Sequence, residues 1–307
     1  MKAVYIKQFG GLDALNYGDL PDPTPGAGQI VVDTHAASVN GADWKVRAGE
    51  YPGAPTFPIV LGRDFSGVVS ALGAGVDDLR VGDEVFGVLE GGRDGTYCEK
   101  IAIGAAIVAK KPASLSHVEA AASALIGLTA LRSVEDTLKL KSGETILIQG
   151  GAGGVAGFAI QLAKHIGARV ITTASAGNLA WLRELGADQV IDYNTTDFRK
   201  VVSNVDAVFD TVGGDVAMQS FAVLKPGGRA AFIASGPQAP KADRGDVTSL
   251  RPAVGRDRPA LERIAELVRT GAVKVPPIRL FKLSDAVEAV GISKARHLKG
   301  KLVFKLK

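Results

Sequence analysis

Four glycines stand close together near the middle of the chain: Gly150, Gly151, Gly153 and Gly154, followed by the small residue Ala156. Glycine permits a tight turn and lets a bulky group approach the bare backbone, while a small residue lets a helix pack on a strand. A helix that begins at such a turn offers free N–H groups and the positive end of its dipole to phosphate. This spacing favours a site for the pyrophosphate of a dinucleotide over a plain strand-to-helix turn.

The residues on either side supply the two elements that such a site needs. Residues 145–149 are apolar and β-branched, and their number suits a buried parallel strand. Beyond the glycines, apolar residues recur at helical spacing, at Val155, Phe158, Ala159, Leu162 and Ile166. Strand, glycine turn and helix is the context of the dinucleotide-binding fingerprint.

The pattern after the glycine turn predicts a doubly wound parallel sheet, because strands and helices alternate. The predicted strands are 169–173, 189–191, 205–209 and 229–234, and the predicted helices are 179–185 and 216–224. The turn residues Pro226, Gly227 and Gly228 are expected to end the second helix. The segment 236–258 is rich in proline, glycine and charge, which is typical of an irregular excursion.

The first part of the chain has a different texture. Residues 1–110 contain short apolar runs separated by Gly, Pro and Asp turns, which predicts a β-rich region. Ser116 and Glu119 have the spacing of a capping box at the start of an Ala-rich helix. A helix is predicted at 259–270, and the tail is predicted to add a helix at 284–292 and a strand at 301–305.

Composition excludes several classes of protein. The 307 residues carry a net charge of only +4, without a run of Lys or Arg, which argues against a nucleic-acid partner. The single cysteine, Cys98, excludes an internal disulfide and a cysteine-cluster zinc site. The N-terminus lacks the apolar core of a signal peptide, and no apolar run is long enough to span a bilayer, so we expect no membrane partner and a cytoplasmic protein.

Eight motifs in a fixed order resemble those of the medium-chain dehydrogenase/reductase superfamily, specifically its zinc-free quinone oxidoreductase (zeta-crystallin-like) branch. They lie at 37–47, 61–69, 81–87, 125–130, 152–155, 185–188, 210–214 and 299–303. The resemblance implies an α/β protein with a GroES-like β-rich catalytic domain and a Rossmann domain with a doubly wound parallel sheet. The catalytic domain would be 1–115, completed by 271–307, and the Rossmann domain 116–270. It also implies a homodimer, with 246–250 as a candidate edge of the interface.

The resemblance bears on metal content. Zinc-dependent members have a cysteine where this chain has Asn40 and a histidine where it has Arg63, and neither an amide nor a guanidinium is a zinc ligand. The four histidines are scattered without ligand spacing. We therefore expect no metal site.

The end of the second strand of the nucleotide fold bears on cofactor choice. NAD-preferring proteins place Asp or Glu here, whereas this chain has no carboxylate and offers the hydroxyls of Thr173 and Ser175. NADPH-dependent relatives usually add a lysine where this chain has Asn178, which can donate hydrogen bonds but is uncharged. We predict NADPH rather than NADH.

The resemblance assigns further residues to the cofactor and the substrate. The predicted cofactor-binding residues are Thr129, Gly151, Ala152, Gly153, Gly154, Val155, Thr173, Ser175, Asn178, Tyr193, Val212, Gly213 and Lys301. The predicted catalytic residues are Asn40 and Asp43, near the nicotinamide, together with Tyr51. Tyr51 either donates its hydroxyl to a substrate oxygen or, like Trp44, only forms a wall of the pocket.

The chemistry left without zinc is direct hydride transfer to an acceptor that is already electrophilic, because no Lewis acid polarises a carbonyl. Quinones and α,β-unsaturated ketones or aldehydes fit, so we predict an NADPH-dependent quinone or enone reductase. One alternative is a non-catalytic NADPH-binding protein that acts as a sensor or, like a crystallin, as a structural protein. Another is an enoyl reductase module of a larger synthase, which a free-standing chain would disfavour.

Overall fold

The structure is a computed structural model in which residues 1–50, 56–90, 95–296 and 298–307 are described. By compactness the chain forms two units. The first unit contains Met1–Leu125, Arg256–Arg269 and Pro277–Lys307, and the second contains Ile126–Gly255 and Thr270–Pro276. The domain boundaries given above stay a prediction.

The described residues form strands and helices along the whole chain. The strands are β1 (Lys2–Ile6), β2 (Leu15–Asp19), β3 (Gln29–Ser38), β4 (Ile59–Val60), β5 (Asp64–Leu72), β6 (Glu84–Val88), β7 (Lys100–Gly104), β8 (Val108–Lys110), β9 (Thr145–Gln149), β10 (Arg169–Ala174), β11 (Gln189–Asp192), β12 (Val205–Asp210), β13 (Leu224–Phe232), β14 (Thr248–Leu250), β15 (Ile278–Phe281) and β16 (Lys301–Lys305). The helices are α1 (Gly41–Ala48), α2 (His117–Leu131), α3 (Gly154–Ile166), α4 (Leu179–Glu184), α5 (Asp215–Gln219), α6 (Arg258–Arg269) and α7 (Ala286–Ala295). None of these helices is long and apolar enough to cross a membrane.

The first unit is built on β-sheets. A small sheet has the order β2-β1-β4, and a larger one has the order β15-β16-β3-β5-β6-β8, with β7 also paired to β3. The C-terminal strand β16 is antiparallel to β3, with Val303 opposite Ser38. Strand β3 and the C-terminal strand β16 therefore share one sheet, whose apolar side chains join the core of this unit.

The second unit contains a six-stranded sheet in the order β11-β10-β9-β12-β13-β14, in which every neighbouring pair is parallel. This is the doubly wound order in which the chain starts in the middle, builds one side and then returns to build the other. The predicted fold class, a GroES-like β-rich part and a Rossmann parallel sheet, is confirmed. Strand β14 forms one edge of the sheet, within the segment expected to be irregular.

Of two predictions about helix ends, one is confirmed and one is wrong. The capping box is confirmed: the Ser116 N–H donates to Glu119 Oε2 at 2.9 Å, and the Glu119 N–H donates to Ser116 Oγ at 3.2 Å. The helix predicted at 216–224 is wrong in length, because α5 ends at Gln219 and a short 3₁₀ turn leads into β13. Pro226 lies within β13, where the pairing with β12 skips several residues, so the missing N–H of proline costs no ladder bond.

Candidate functional site

The glycine turn of the second unit joins β9 to α3. Gly150 has φ +77°, a conformation that glycine adopts without strain. The Gly153 N–H donates to the Gly150 carbonyl at 3.0 Å, and the Gly151 N–H donates to the Thr173 carbonyl at 2.9 Å. The turn is therefore closed on itself and held to the end of β10.

Two of these glycines have different surroundings. A Cβ atom on Gly151 would lie 2.4 Å from Thr172 Oγ1, so packing within the fold requires glycine there. A Cβ atom on Gly153 would meet only the Gly150 carbonyl oxygen, at 3.5 Å, and its φ of −71° suits any residue. Gly153 is also the N-cap of α3 and supplies no side-chain cap. The bare backbone at Gly153 is thus not needed for packing, and it leaves the helix N-terminus open to an anion.

The turn also contains Ala152, and α3 begins with Gly154 and Val155. In the first turn of a helix the N–H groups have no partner within the helix. Such groups suit a pyrophosphate, and the assignment of Ala152, Gly154 and Val155 to the cofactor stays a prediction.

Thr173 supports the turn from β10. Its hydroxyl donates to Gln149 Oε1 at 2.6 Å and accepts from the Gly150 N–H at 3.2 Å, and the residue is buried. The hydroxyl is therefore engaged within the fold and positions the glycine turn. Gln149 was not among the predicted site residues; a polar side chain at the end of an apolar strand was the available signal.

Ser175 and Asn178 come together where β10 ends. Asn178 Nδ2 donates to Ser175 Oγ at 3.1 Å, and the Asn178 N–H donates to the Ser175 carbonyl at 3.0 Å. Tyr193 follows the neighbouring strand β11, its N–H donates to the Ala174 carbonyl at 3.2 Å, and its side chain is 52% exposed. The structure thus places the three predicted polar side chains at the carboxyl ends of adjacent strands, and their assignment to the phosphorylated ribose of NADPH stays a prediction.

A second turn follows β12 and contains Val212 and Gly213. The Asp210 carboxyl accepts from the N–H groups of Val212, at 3.2 Å, and Gly213, at 2.9 Å. Gly213 has φ +82°, and a Cβ atom there would lie 2.8 Å from the Ala234 carbonyl oxygen. Burial raises the pKa of Asp210, whereas the two N–H groups favour its ionised form. Asp210, which sequence reasoning did not place in the site, shapes this turn.

Thr129 lies in α2 and is buried. Its carbonyl accepts a hydrogen bond from Ser133 Oγ at 2.7 Å. The contact is local to the helix, and the assignment of Thr129 to the nicotinamide stays a prediction.

In the first unit, the predicted catalytic residues Asn40 and Asp43 lie at the start of α1. Asn40 is the N-cap, and Asp43 Oδ2 accepts both the Asn40 N–H, at 2.7 Å, and the hydroxyl of Tyr97, at 2.6 Å. Tyr97, a residue that the sequence did not single out, is fully buried. Asp43 is also buried, and its Oδ1 atom has no hydrogen-bond partner among the described residues.

Burial dominates the ionisation of this pair. It raises the pKa of Asp43 to about 6, although the hydrogen bonds from Tyr97 and Asn40 and the charge of Arg63 oppose the shift. Burial, together with the neighbouring Asp43 carboxyl, raises the pKa of the Tyr97 hydroxyl well above its usual value. The Tyr97 hydroxyl is therefore the donor and Asp43 the acceptor at neutral pH.

The carboxamide of Asn40 uses both of its ends. Its Oδ1 atom accepts from Lys301 Nζ at 2.7 Å, and its Nδ2 atom donates to Asp64 Oδ1 at 2.9 Å. Asp64 Oδ1 also accepts from Ser38 Oγ at 2.8 Å. Burial raises the pKa of Asp64 and lowers that of Lys301, while their opposite charges favour ionisation of both. The bonds of Lys301, predicted to meet the cofactor, thus include one to a predicted catalytic residue.

Two aromatic residues, Trp44 and Tyr51, were expected near the substrate. Trp44 packs against the core of the first unit, with Lys45 Nζ 5.6 Å and Arg296 Cζ 5.9 Å from its ring centroid. Tyr51 lies outside the described residues.

A metal site requires several donor side chains close together. Across residues 1–50, 56–90, 95–296 and 298–307, no group of three or more His, Cys, Asp or Glu side chains could hold a metal ion. Where zinc-dependent proteins have a cysteine thiolate, the Asn40 oxygen accepts a hydrogen bond from the buried ammonium group of Lys301. These residues do not fit a catalytic zinc.

Comparisons with known proteins agree with this geometry. Residues 26–114 match the family model described as alcohol dehydrogenase GroES-like domain, and residues 185–304 match the one described as zinc-binding dehydrogenase. The chain is 34% identical to 2-methylene-furan-3-one reductase of Solanum lycopersicum over an alignment of 317 positions that covers 99% of this chain and 79% of that protein. It is 32% identical to the chloroplastic NADPH-dependent alkenal/one oxidoreductase of Arabidopsis thaliana, with the same coverage of 99% and 79%.

The solved structures include that of Escherichia coli quinone oxidoreductase complexed with NADPH. It matches with a TM-score of 0.91 and 28% identity, and the match covers 99% of this chain and 100% of that one. The order of the parallel strands, the glycine turn and the relatives together show that the chain belongs to the quinone oxidoreductase branch of the medium-chain dehydrogenase/reductase superfamily.

Proposed function

We propose that this protein is an NADPH-dependent oxidoreductase that reduces quinones or α,β-unsaturated ketones and aldehydes without a metal. The observation that carries the proposal is the open N-terminus of α3 at Gly153, where the fold would accept a side chain and the sequence has none. The named activities of the relatives support the substrate class, since they include alkenal/one and quinone oxidoreductases.

NADPH supplies the hydride when bound. In this proposal the N–H groups of Gly154 and Val155 bind its pyrophosphate, with Ala152 and Gly153 leaving room for it. Ser175, Asn178 and Tyr193 bind the phosphorylated ribose.

The remaining cofactor residues have supporting roles. Thr173 and Gly151 fix the turn through the bonds described above. The nicotinamide lies against Thr129, Val212 and Gly213 in this proposal.

The residues proposed for the substrate are Asn40, Asp43 and Tyr51. Asn40 and Asp43 fix the start of α1, which presents Trp44 from the same helix. Tyr51 donates its hydroxyl to a substrate oxygen in this proposal. The acceptor must be electrophilic by itself, because the described residues include no donor set for a metal that could act as a Lewis acid.

The proposal of zinc independence rests on the residues at the zinc-ligand positions, although one matching family model is described as zinc-binding dehydrogenase. Asn40 and Arg63 stand at the positions of two zinc ligands of related enzymes, and the Asn40 amide is held by Lys301 and Asp64. A neutral amide with both ends bonded is a poor substitute for a thiolate.

The test is steady-state oxidation of NADPH by the purified protein against a panel of quinones, enones and enals. Saturated ketones of matched size are the control, because their carbonyls need polarisation before they accept hydride. We expect turnover with the conjugated acceptors alone. NADPH binding without turnover on any acceptor would favour the non-catalytic alternative, and equal turnover of saturated ketones would contradict the metal-free mechanism.

Two further proposals concern the state of the protein. We propose a homodimer, for which the exposed edge strand β14 is one candidate surface. We also propose a cytoplasmic location. Light scattering of the purified protein and fractionation of the source cells test them.

A further inference from the structure

The buried lysine of the C-terminal strand has bonding partners that the predicted cofactor role does not explain. Lys301 is only 4% exposed, and its ammonium group donates to the Val39 carbonyl at 2.8 Å and to Asn40 Oδ1 at 2.7 Å. A buried ammonium is costly unless its hydrogen bonds are made, so these contacts are a requirement of the fold.

The position of Lys301 depends on Gly300, the residue before it. Gly300 has φ +77°, and a Cβ atom there would lie 2.1 Å from the Pro277 carbonyl oxygen, which accepts the Lys301 N–H at 2.9 Å. Only glycine lets β16 begin so close to Pro277. Gly300 and Lys301 thus act together: Gly300 sets where strand β16 starts, and the Lys301 side chain points toward the end of β3.

The contact determines which way the Asn40 side chain faces. Because Lys301 has only donors, it must face the oxygen of the carboxamide, and the nitrogen then faces Asp64 Oδ1 and the Ser38 carbonyl, at 3.1 Å. Asn40 in turn donates its backbone N–H to Asp43. A single chain of bonds thus runs from β16 through Asn40 to the first turn of α1.

We propose that Lys301 is a positioning residue for α1, acting through the Asn40 carboxamide rather than by contact with the cofactor. The inference rests on the proposed function only where it concerns turnover. The charged groups around the lysine agree with this role. Asp64 on β5 and Asp43 on α1 both favour the ammonium form, which opposes the effect of burial on the lysine pKa. Arg63 and Tyr97 face the same carboxylate, Asp43.

The first test is independent of activity. Lys301→Met keeps the length and bulk of the side chain and removes the donors, and Lys305→Met, at an exposed position on the same strand, is the matched control. Hydrogen–deuterium exchange should accelerate in residues 40–45 of Lys301→Met and stay as in the wild type in Lys305→Met. Unchanged exchange in Lys301→Met would overturn the proposal, whatever the protein catalyses.

The second test separates positioning from cofactor contact. Lys301→Met should lower kcat by about 10- to 100-fold, the cost of a misplaced group, while the Kd for NADPH measured by calorimetry stays near the wild-type value. In an Asn40→Ala background the same substitution should cost little more, because the lysine would have nothing left to position. A large rise in the Kd with kcat preserved, or fully additive losses, would show that Lys301 acts on its own.

A variant that keeps a donor protects the test against misfolding. Lys301→Arg retains N–H groups at this point and should restore slow exchange in α1 and most of kcat. If Lys301→Met does not fold and Lys301→Arg folds but exchanges as fast as Asn40→Ala, the proposal is wrong.

Discussion

The glycine turn of the second unit and the buried polar cluster around Asn40 in the first unit differ in how their side chains are arranged. The turn leaves room for a ligand, because Gly153 has no side chain although packing would allow one, and the N-terminus of α3 has no side-chain cap. The cluster around Asn40 instead has its groups bonded to one another: the carboxamide bonds to Lys301 and Asp64, and the backbone N–H bonds to Asp43. An omitted side chain costs the fold little, whereas a deleted member of a buried network leaves an unpaired group.

The largest expected effect comes from filling the open space in the turn. Gly153→Val should abolish measurable NADPH binding, because the side chain occupies the position of the pyrophosphate, while the protein stays folded. Calorimetric titration and circular dichroism measure the two quantities. The control is Gly151→Ala, which should destabilise the fold through its clash with Thr172. Wild-type affinity in Gly153→Val would reduce the turn to a structural feature.

The next largest effect is expected from adding a charge at the end of β10 in the second unit. Ser175→Asp should reverse the cofactor preference, because a carboxylate repels the 2′-phosphate of NADPH and accepts from the ribose hydroxyl of NADH. Asn178→Lys should act in the opposite direction and improve the KM for NADPH, with a gain that shrinks as salt is raised. The ratio of kcat/KM values for the two cofactors is the measurement. A ratio that Ser175→Asp leaves untouched would mean that the ribose lies elsewhere.

A smaller effect is expected when a change of pH alters the charge of Asp43, in the buried polar cluster of the first unit. Since burial raises the pKa of Asp43 to about 6 from 3.8, its protonated form stabilises the fold at low pH, and this contribution is lost as pH rises from about 4 through about 6. Asp43→Asn, a neutral stand-in for the protonated group, should match the wild type below this window. Above it, the variant should be the more stable by at most about 3 kcal/mol.

Urea unfolding of both proteins across this pH range provides the measurement. Subtracting the two curves removes the surface carboxylates, such as Asp33, whose pKa is lowered to about 2 by its lysine partners despite partial burial. A difference that stays flat from pH 4 to pH 8, or that favours the wild type above pH 6, would contradict a buried Asp43 with a raised pKa.

The smallest expected effect is none at all. Activity should survive exhaustive dialysis against a chelator, because the described residues hold no donor set for a metal and the Asn40 amide is already bonded. Loss of activity that added zinc restores would break the proposed metal-free mechanism.

Much of the nucleotide fold could be predicted from local patterns. The strand, glycine turn and helix at 145–166 are short in sequence, so their periodicity and glycine content were enough to place β9 and α3. The Ser116 capping box was predictable for the same reason. The helix α1 was missed, although Asn40 and Asp43 have the N-cap and N3 spacing that often begins a helix, because the surrounding β pattern dominated.

Contacts distant in sequence could not be predicted in this way. Tyr97 meets Asp43 across 54 residues, and Lys301 meets Asn40 across 261, and no local pattern encodes either distance. The segment Arg256–Arg269 belongs by compactness to the first unit, where Arg258 donates to the Val108 carbonyl at 2.8 Å and the Ala105 carbonyl at 2.7 Å. From sequence alone it was grouped with the strands and helices that precede it.

The amino-acid sequence by itself determined the family and the glycine turn, because each motif that identifies them consists of residues that are neighbours in the chain. The tertiary structure decided which side chains of the predicted set are already engaged. It assigned the Thr173 hydroxyl to Gln149 and the Lys301 ammonium to Asn40, since a buried donor must find an acceptor and only the folded chain shows which one is within reach.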